Sequence, residues 1–292
     1  MPQRSTTFFV CGCPKSGTTW VQLLLDRHPE VSCAGESHLV VLLKKFSALI
    51  EDHNFHQRRR NTAIFGDIVG YAPFPEIEPE DERWLFEGLV ERMLEKAVRK
   101  PGVRAVGDKT PNLAEHLNWF PDMVPHAKFI HVIRDARDVA VSGWHHLHRT
   151  APAADLRQLS AFRDYALLSA QLWQVVVLRA RAEAARLGAR YLEVRYEDLH
   201  ADPDAAIERM LRFLGVAAEP ALRRACIDQA SFSALTGGRA AGQEDPAAFL
   251  RKGLPGDWRN WFDPALNTAV LAEIGPLLAA LGYDGELVPA AG

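Results

Sequence analysis

The octet Gly12-Cys-Pro-Lys-Ser-Gly-Thr-Thr19 limits this chain more than any other stretch. It stands between a β-rich run, Thr6 to Gly12, and a helical pattern from Thr18 to Arg27 that puts Trp20, Leu23 and Leu24 on one side. A strand that passes to a helix through a glycine-bounded loop turns backbone N–H groups and the positive helix end toward one point, which suits an anion. The loop departs from the nucleotide-triphosphatase pattern GxxxxGK[ST], because Thr18 occupies the lysine position and the only lysine, Lys15, lies inside the loop. A standard kinase or GTPase loop is therefore not what this spacing describes. A tight Gly-Pro turn with a solvated lysine leaves the glycine spacing and the paired threonines unexplained.

Helical spacing returns from about Ser37 to Ile50, and the polar stretch Glu51 to Glu82, with Arg58, Arg59 and Arg60, predicts an irregular excursion. Further helices are predicted over Glu80–Arg99, Leu156–Leu187, Pro203–Leu214, Pro220–Gln229 and Pro264–Leu281, and buried strands over Val103–Val106, Lys128–Ile133 and Ala189–Val194. Alternation of this kind predicts an α/β fold: a mostly parallel central sheet flanked by helices on both faces, with ligands beyond the carboxyl ends of the strands. At 292 residues, 48% apolar and 24% charged, the chain is expected to bury one full core as a single domain over residues 1–292.

A formal charge of -3 gives no global field for a polyanion, so no nucleic-acid partner is expected and any anion site must be local. The N-terminal apolar run is broken by Cys and Gly and followed by Lys15, which fits a buried first strand better than a signal peptide or anchor; no membrane partner is expected. Cys11, Cys13, Cys33 and Cys226 give no disulfide framework, which predicts reduced thiols and a cytoplasmic location.

Two later stretches could take a second anion. Phe129 to Ser142 reads as a strand entering a helix, with Arg134 at the strand end and Ser142 eight positions on; taken alone, it is also a helix start with local ion pairs. Arg251-Lys-Gly253 sets two cations beside a glycine on a loop, with a charged surface turn as the plain alternative. Together with the first loop, these segments resemble the sulfotransferase superfamily that uses 3'-phosphoadenosine 5'-phosphosulfate (PAPS). Pro14-Lys-Ser-Gly-Thr-Thr-Trp20 is similar to its 5'-phosphosulfate loop, which implies that Lys15 contacts the bridging oxygen and sulfuryl group and that Ser16, Gly17, Thr18 and Thr19 hold phosphate. Arg134 and Ser142 keep the spacing of its 3'-phosphate motif, and Arg251, Lys252 and Gly253 match its late loop. Val194-Arg-Tyr-Glu-Asp-Leu199 and Ala230-Ser-Phe232 resemble two more family elements, which assigns Tyr196 and Phe232 to adenine, with Trp20 as a further wall.

The resemblance runs from about residue 6 to 262. It implies a P-loop-like α/β fold, PAPS as cosubstrate with 3'-phosphoadenosine 5'-phosphate (PAP) as product, no metal, and an acceptor hydroxyl on a small molecule, a carbohydrate or a peptide. Sulfuryl transfer needs in-line positioning, cations and a base. Lys15 and Lys109 are the expected catalytic cations. Gly107-Asp-Lys-Thr-Pro111 falls where small-molecule sulfotransferases carry K-T-H, but Pro111 replaces the histidine base. Glu36 matches the offset of the catalytic glutamate of the tyrosylprotein sulfotransferases and is the expected base, its carboxylate suited to that work in a partly desolvated cleft; a helix cap is its other reading. His38 and His116 are reserve bases. His145, His146 and His148 lack zinc-site spacing, the arginine run 58–60 is read as solvated with an acceptor role in reserve, and no oligomeric state is predicted. A small-molecule kinase and a catalytically inactive nucleotide-binding module remain the competing readings.

Overall fold

The computed structural model describes residues 5–66, 68, 73–150 and 161–283. Among them, strands β1 (Thr6–Gly12), β2 (Val31–Ala34), β3 (Ala105–Lys109), β4 (Lys128–Ile133) and β5 (Tyr191–Arg195) pair in the order β2-β3-β1-β4-β5, every pairing parallel. The helices are α1 (Thr18–Asp26), α2 (Leu39–Phe65), α3 (Pro79–Ala97), α4 (Phe120–Met123), α5 (Ala136–Thr150), α6 (Phe162–Ala182), α7 (Ala184–Leu187), α8 (Tyr196–Ala201), α9 (Pro203–Leu214), α10 (Pro220–Gln229), α11 (Phe232–Thr236) and α12 (Pro264–Ala280).

Strand β1 shows why the sheet is covered on both sides. Successive side chains point to opposite faces. Phe8 and Val10 pack with Leu24 of α1 and Ile207 and Met210 of α9, whereas Phe9 and Cys11 join Phe120, Phe129 and Trp173 on the other face. The Phe9 ring stacks on Phe129 at 5.7 Å between centroids and meets the edge of Phe120 at 5.2 Å. A strand buried on both faces reads as a continuous apolar run, and Phe-Phe-Val-Cys is one.

The chain leaves β1 through α1 toward the β2 edge, and leaves β3 for β4 on the far side of β1. The strand order therefore reverses at β1, and a reversal opens a crevice beyond the carboxyl ends of the strands. The loops after β1, β3 and β4 all border it.

Several predicted elements need correction. Strand β2 had no sequence prediction; its four residues are too few to show a period. The expected excursion after Ile50 is instead a continuation of α2 to Phe65, with Arg58, Arg59 and Arg60 inside the helix. Two asparagines on this polar helix hold the segment that returns to α3. The side chains of Asn54 and Asn61 each donate to and accept from one backbone, Ile77 and Phe74 respectively, at 2.8–3.0 Å. Strand β3 lies later than Val103–Val106 because its register with β1 carries it to Lys109. The region of the predicted long helix contains α6 and α7, and its expected start at Leu156 lies outside the described residues.

Candidate active site

Beyond β1 the backbone folds over to make a cradle. Lys15 takes φ 74° and Gly17 φ 91°, so the loop visits the left-handed region twice, once at a residue that pays for it sterically. At Gly17 no other residue fits, since a Cβ would lie 2.3 Å from Tyr196 Cδ2. Ser16 is fully buried beneath the loop, and its Oγ has no hydrogen-bond partner among the described residues. A buried hydroxyl left unpaired costs about 1–3 kcal/mol, which a phosphate oxygen would return.

The cradle opens into a cavity of about 590 Å³. Lys15 and Gly17 line it from the first loop, Thr18, Thr19 and Trp20 from the start of α1, Glu36 from the turn after β2, and Arg134 and Ser142 from the end of β4 and from α5. Tyr196, Phe232, Arg251, Lys252 and Gly253 complete the far wall. Ser16 and Lys109 are the sequence-predicted residues outside this lining. Lys109, at the end of β3, reaches the cavity indirectly: its Nζ donates to Glu36 Oε1 at 2.6 Å. Burial, followed by the fields of Arg149, Arg134 and Lys109, pushes the Lys15 ammonium down to about 8, against the smaller opposing pull of Glu36.

The segment expected to take a second anion centres on Arg134. Its guanidinium lies 4.3 Å from the centroid of the Tyr196 ring and 3.5 Å from Asp138 Oδ2, while Nε has no partner among the described residues. Asp138 itself accepts from the backbone N–H of Gly256 at 2.6 Å and of Trp258 at 2.9 Å, tying the late loop to the start of α5. Arg251 and Lys252 both donate to Asp257. Burial pushes the Asp257 carboxyl up, but hydrogen bonds from Lys252, Arg251 and Asn260 outweigh it and hold it at about 2. Gly253, at φ 71°, presses its backbone on Phe232, where a Cβ would come within 2.1 Å of the ring. Tyr196 is almost entirely enclosed, between Gly17, Arg134, Trp20 and His200. Trp20 is fixed by its indole N–H, which donates to the Ala230 carbonyl at 2.9 Å.

A family model described as the sulfotransferase family matches residues 7–220. The chain belongs to that family. Among its relatives, protein-tyrosine sulfotransferase 1 of Danio rerio is 25% identical over 210 residues, 71% of this chain and 52% of the relative. Cytosolic sulfotransferase 16 of Arabidopsis thaliana is 23% identical over 292 residues, 91% and 74% of the two chains. The chain thus spans about half the length of the fish relative. A mouse sulfotransferase complexed with PAP shares the fold, with a TM-score of 0.55 and 20% identity over 96% of this chain and 90% of that one.

In this member of the family, sequence reasoning missed several residues of the cavity wall. His145, His146 and Arg149 line it together with Ser142. Their positions i, i+3, i+4 and i+7 form one stripe of α5, a signal that was available once Ser142 had been singled out. His148 lies off the stripe and bonds the Trp144 carbonyl at 2.9 Å. Phe249, in the late loop, carries Lys15 Nζ 5.0 Å from its ring centroid. Of the reserve bases, His38 lines the cavity at φ 51°, while His116 does not and packs on Trp119. Pro111, which replaces the histidine of the small-molecule pattern, lines the cavity, with Asn112 beside it. Among the described residues no group of three or more His, Cys, Asp or Glu is placed to hold a metal ion.

Proposed function

We propose that this sulfotransferase transfers a sulfuryl group from PAPS to an acceptor hydroxyl, with Glu36 as base and Lys15 and Lys109 as the cations of the transfer. The observation that carries the reading is the charge of one wall. Five cations, Lys15, Arg134, Arg149, Arg251 and Lys252, face a cavity whose described lining contains a single carboxylate, Glu36. A chain of net charge -3 that gathers its cations this way is built for a polyanion. The unpaired Ser16 Oγ and Arg134 Nε, and the glycines that leave room at positions 17 and 253, fit a nucleotide with two separated anionic ends.

When bound, PAPS supplies the activated sulfuryl group. The β1 loop, through Lys15, Ser16, Gly17, Thr18 and Thr19, would hold the phosphosulfate end, and Arg134, Ser142, Arg251, Lys252 and Gly253 the other phosphate. Arg suits a phosphate because its planar guanidinium donates two parallel hydrogen bonds. Tyr196 and Phe232 would meet the purine, with Trp20 as a further wall and Tyr196 also supporting Arg134 and the loop. Lys109 fixes one carboxylate oxygen of Glu36, and the other is left to accept the acceptor's proton. The acceptor is a hydroxyl of a small molecule, a carbohydrate or a peptide. A cytoplasmic, reducing compartment is part of this proposal; the four cysteines are buried and free.

The test is a thermal-shift comparison followed by label transfer. PAP or PAPS is expected to raise Tm more than ATP with magnesium, and labelled PAPS to sulfate at least one member of a panel of phenols, sugars, alcohols and tyrosine peptides. A larger shift with ATP and magnesium would favour phosphoryl transfer instead. Tight PAP binding with no label transferred to any acceptor would leave a binding module.

A further inference from the structure

The stripe on α5 ends in a cation to which the reading above gives no part in the transfer. Arg149 stands in the penultimate position of α5 and lines the cavity. An arginine in the last turn of a helix is commonly there to complement the helix dipole. Its surroundings say more. The Arg149 guanidinium lies 5.7 Å from the centroid of the Phe249 ring, and Lys15 Nζ lies 5.0 Å from the centroid of the same ring. Two cations that share one aromatic ring accept each other's repulsion. Among the neighbouring charges, Arg149 is also the one that lowers the Lys15 ammonium most. On its other side, Arg149 Nη2 lies 2.9 Å from His146 Nδ1, and that nitrogen accepts when the imidazole is neutral with its proton on Nε2. Burial, followed by the charges of Lys15 and Arg149, lowers the His146 pKa and favours that neutral form.

The end of the cavity at which Arg149 sits is also defined. Arg149 shares the Phe249 ring with Lys15, and the His146 that it bonds lies within the field of Glu36, so both residues of the transfer step are near it. Arg251 and Lys252, the cations of the late loop, are positioned by Asp257 and are assigned above to the other phosphate. We infer that Arg149 is a further catalytic residue, a second cation that grips the sulfuryl end of the donor beside Lys15, held in place by the Phe249 ring and by His146. The inference rests on the proposed sulfuryl transfer. In that step the acceptor oxygen bonds to sulfur as the bond from sulfur to the phosphate oxygen breaks. The acceptor's proton passes to Glu36, and the leaving oxygen departs on PAP with its negative charge. Charge spreads over the peripheral oxygens meanwhile, and a guanidinium can donate to two of them at once.

The experiment needs no acceptor. PAP and PAPS carry nearly the same charge and differ by the sulfuryl group, so a cation that merely adds to the field of the cavity weakens both alike on removal. Calorimetric titration of wild type and Arg149→Ala with each nucleotide separates the two cases. Arg149 is exposed at its helix end, so the variant is expected to melt as wild type does. The expected result is a loss of about tenfold or more in PAPS affinity, the worth of a charge-assisted hydrogen bond, with PAP affinity changed by less than about threefold. Arg149→Lys should retain part of the PAPS preference, and free guanidinium should restore part of it to Arg149→Ala. An equal loss for both nucleotides, or no loss for either, overturns the inference while leaving the proposed transfer standing. A wild-type protein that binds neither nucleotide overturns both.

Discussion

Lys15 combines three costs: a left-handed backbone, partial burial and neighbouring cations. Its ammonium titrates near 8 in the folded protein against 10.5 for an ordinary lysine. Below about 8 both states hold the proton, and the folded state is penalised in full. Between about 8 and 10.5 the unfolded chain keeps a proton that the folded one has released, so stability rises with pH across that window. Lys15→Met is therefore expected to melt higher than wild type at pH 7, with the gap narrowing as pH is raised from 8 toward 10, while sulfuryl transfer is lost. A variant that melts lower at pH 7 would mean that the cation cluster is not strained. At Glu36 the expectation is the opposite in kind. Glu36→Gln keeps the shape and the acceptor oxygen for Lys109, so PAP affinity should stay within about threefold while transfer falls by about a hundredfold or more, the usual worth of a general base. Full activity in that variant would remove Glu36 as the base. The sequence was informative about these residues because each stands in a short segment whose spacing is itself the signal. It was silent on the Lys109 to Glu36 ion pair and on the two cations over Phe249, since their partners are separated by long stretches of chain and meet only in the fold.

The strands and helices show where periodicity was enough. β1 and β4 are short, apolar and bounded by polar turns, and their residues are as predicted. α9 and α10 also begin and end as predicted, each opened by a proline at its first position. The misreadings have separate causes. α2 runs on past Ile50 because no glycine or proline interrupts it before Gly66, and its polarity reflects exposure of all but the one stripe through Ile50, Asn54, Gln57, Asn61 and Phe65 rather than a lack of structure. β3 ends in Asp108 and Lys109, which look like a turn but are buried. The Asp108 carboxylate takes the Ser37 N–H at 3.0 Å and the Thr110 hydroxyl at 2.6 Å, so two charged residues can finish a strand. The glycines of the two loops offer a test at this scale. Gly17→Ala would drive a methyl into the Tyr196 ring, which is locked under Arg134 in the core, and should lower both Tm and PAP affinity. Gly253→Ala meets Phe232, which is only half-buried at the cavity edge. It should weaken PAP by about tenfold or more with a smaller fall in Tm. Equal falls in Tm for the two variants would show that the late loop is as integral to the core as the first.

At the scale of the molecule, a slightly acidic chain presents a basic cavity because strand order reverses at β1, which brings the ends of β1, β3 and β4 to one crevice. The fold class was legible from the alternation of elements, and the sheet order was not, because order depends on crossovers that leave no local pattern. Everything functional in this account depends on one nucleotide reaching from the first loop to Arg134. The direct test is the affinity of wild type and Arg134→Gln for PAP and for adenosine 5'-monophosphate, which lacks the 3'-phosphate. The variant should fold, since Asp138 keeps its bonds from Gly256 and Trp258. Wild type is expected to prefer PAP by about a hundredfold or more, and Arg134→Gln to lose most of that preference while binding the monophosphate as wild type does. A preference for PAP that survives in Arg134→Gln, or a wild type that binds both nucleotides alike, would contradict the account.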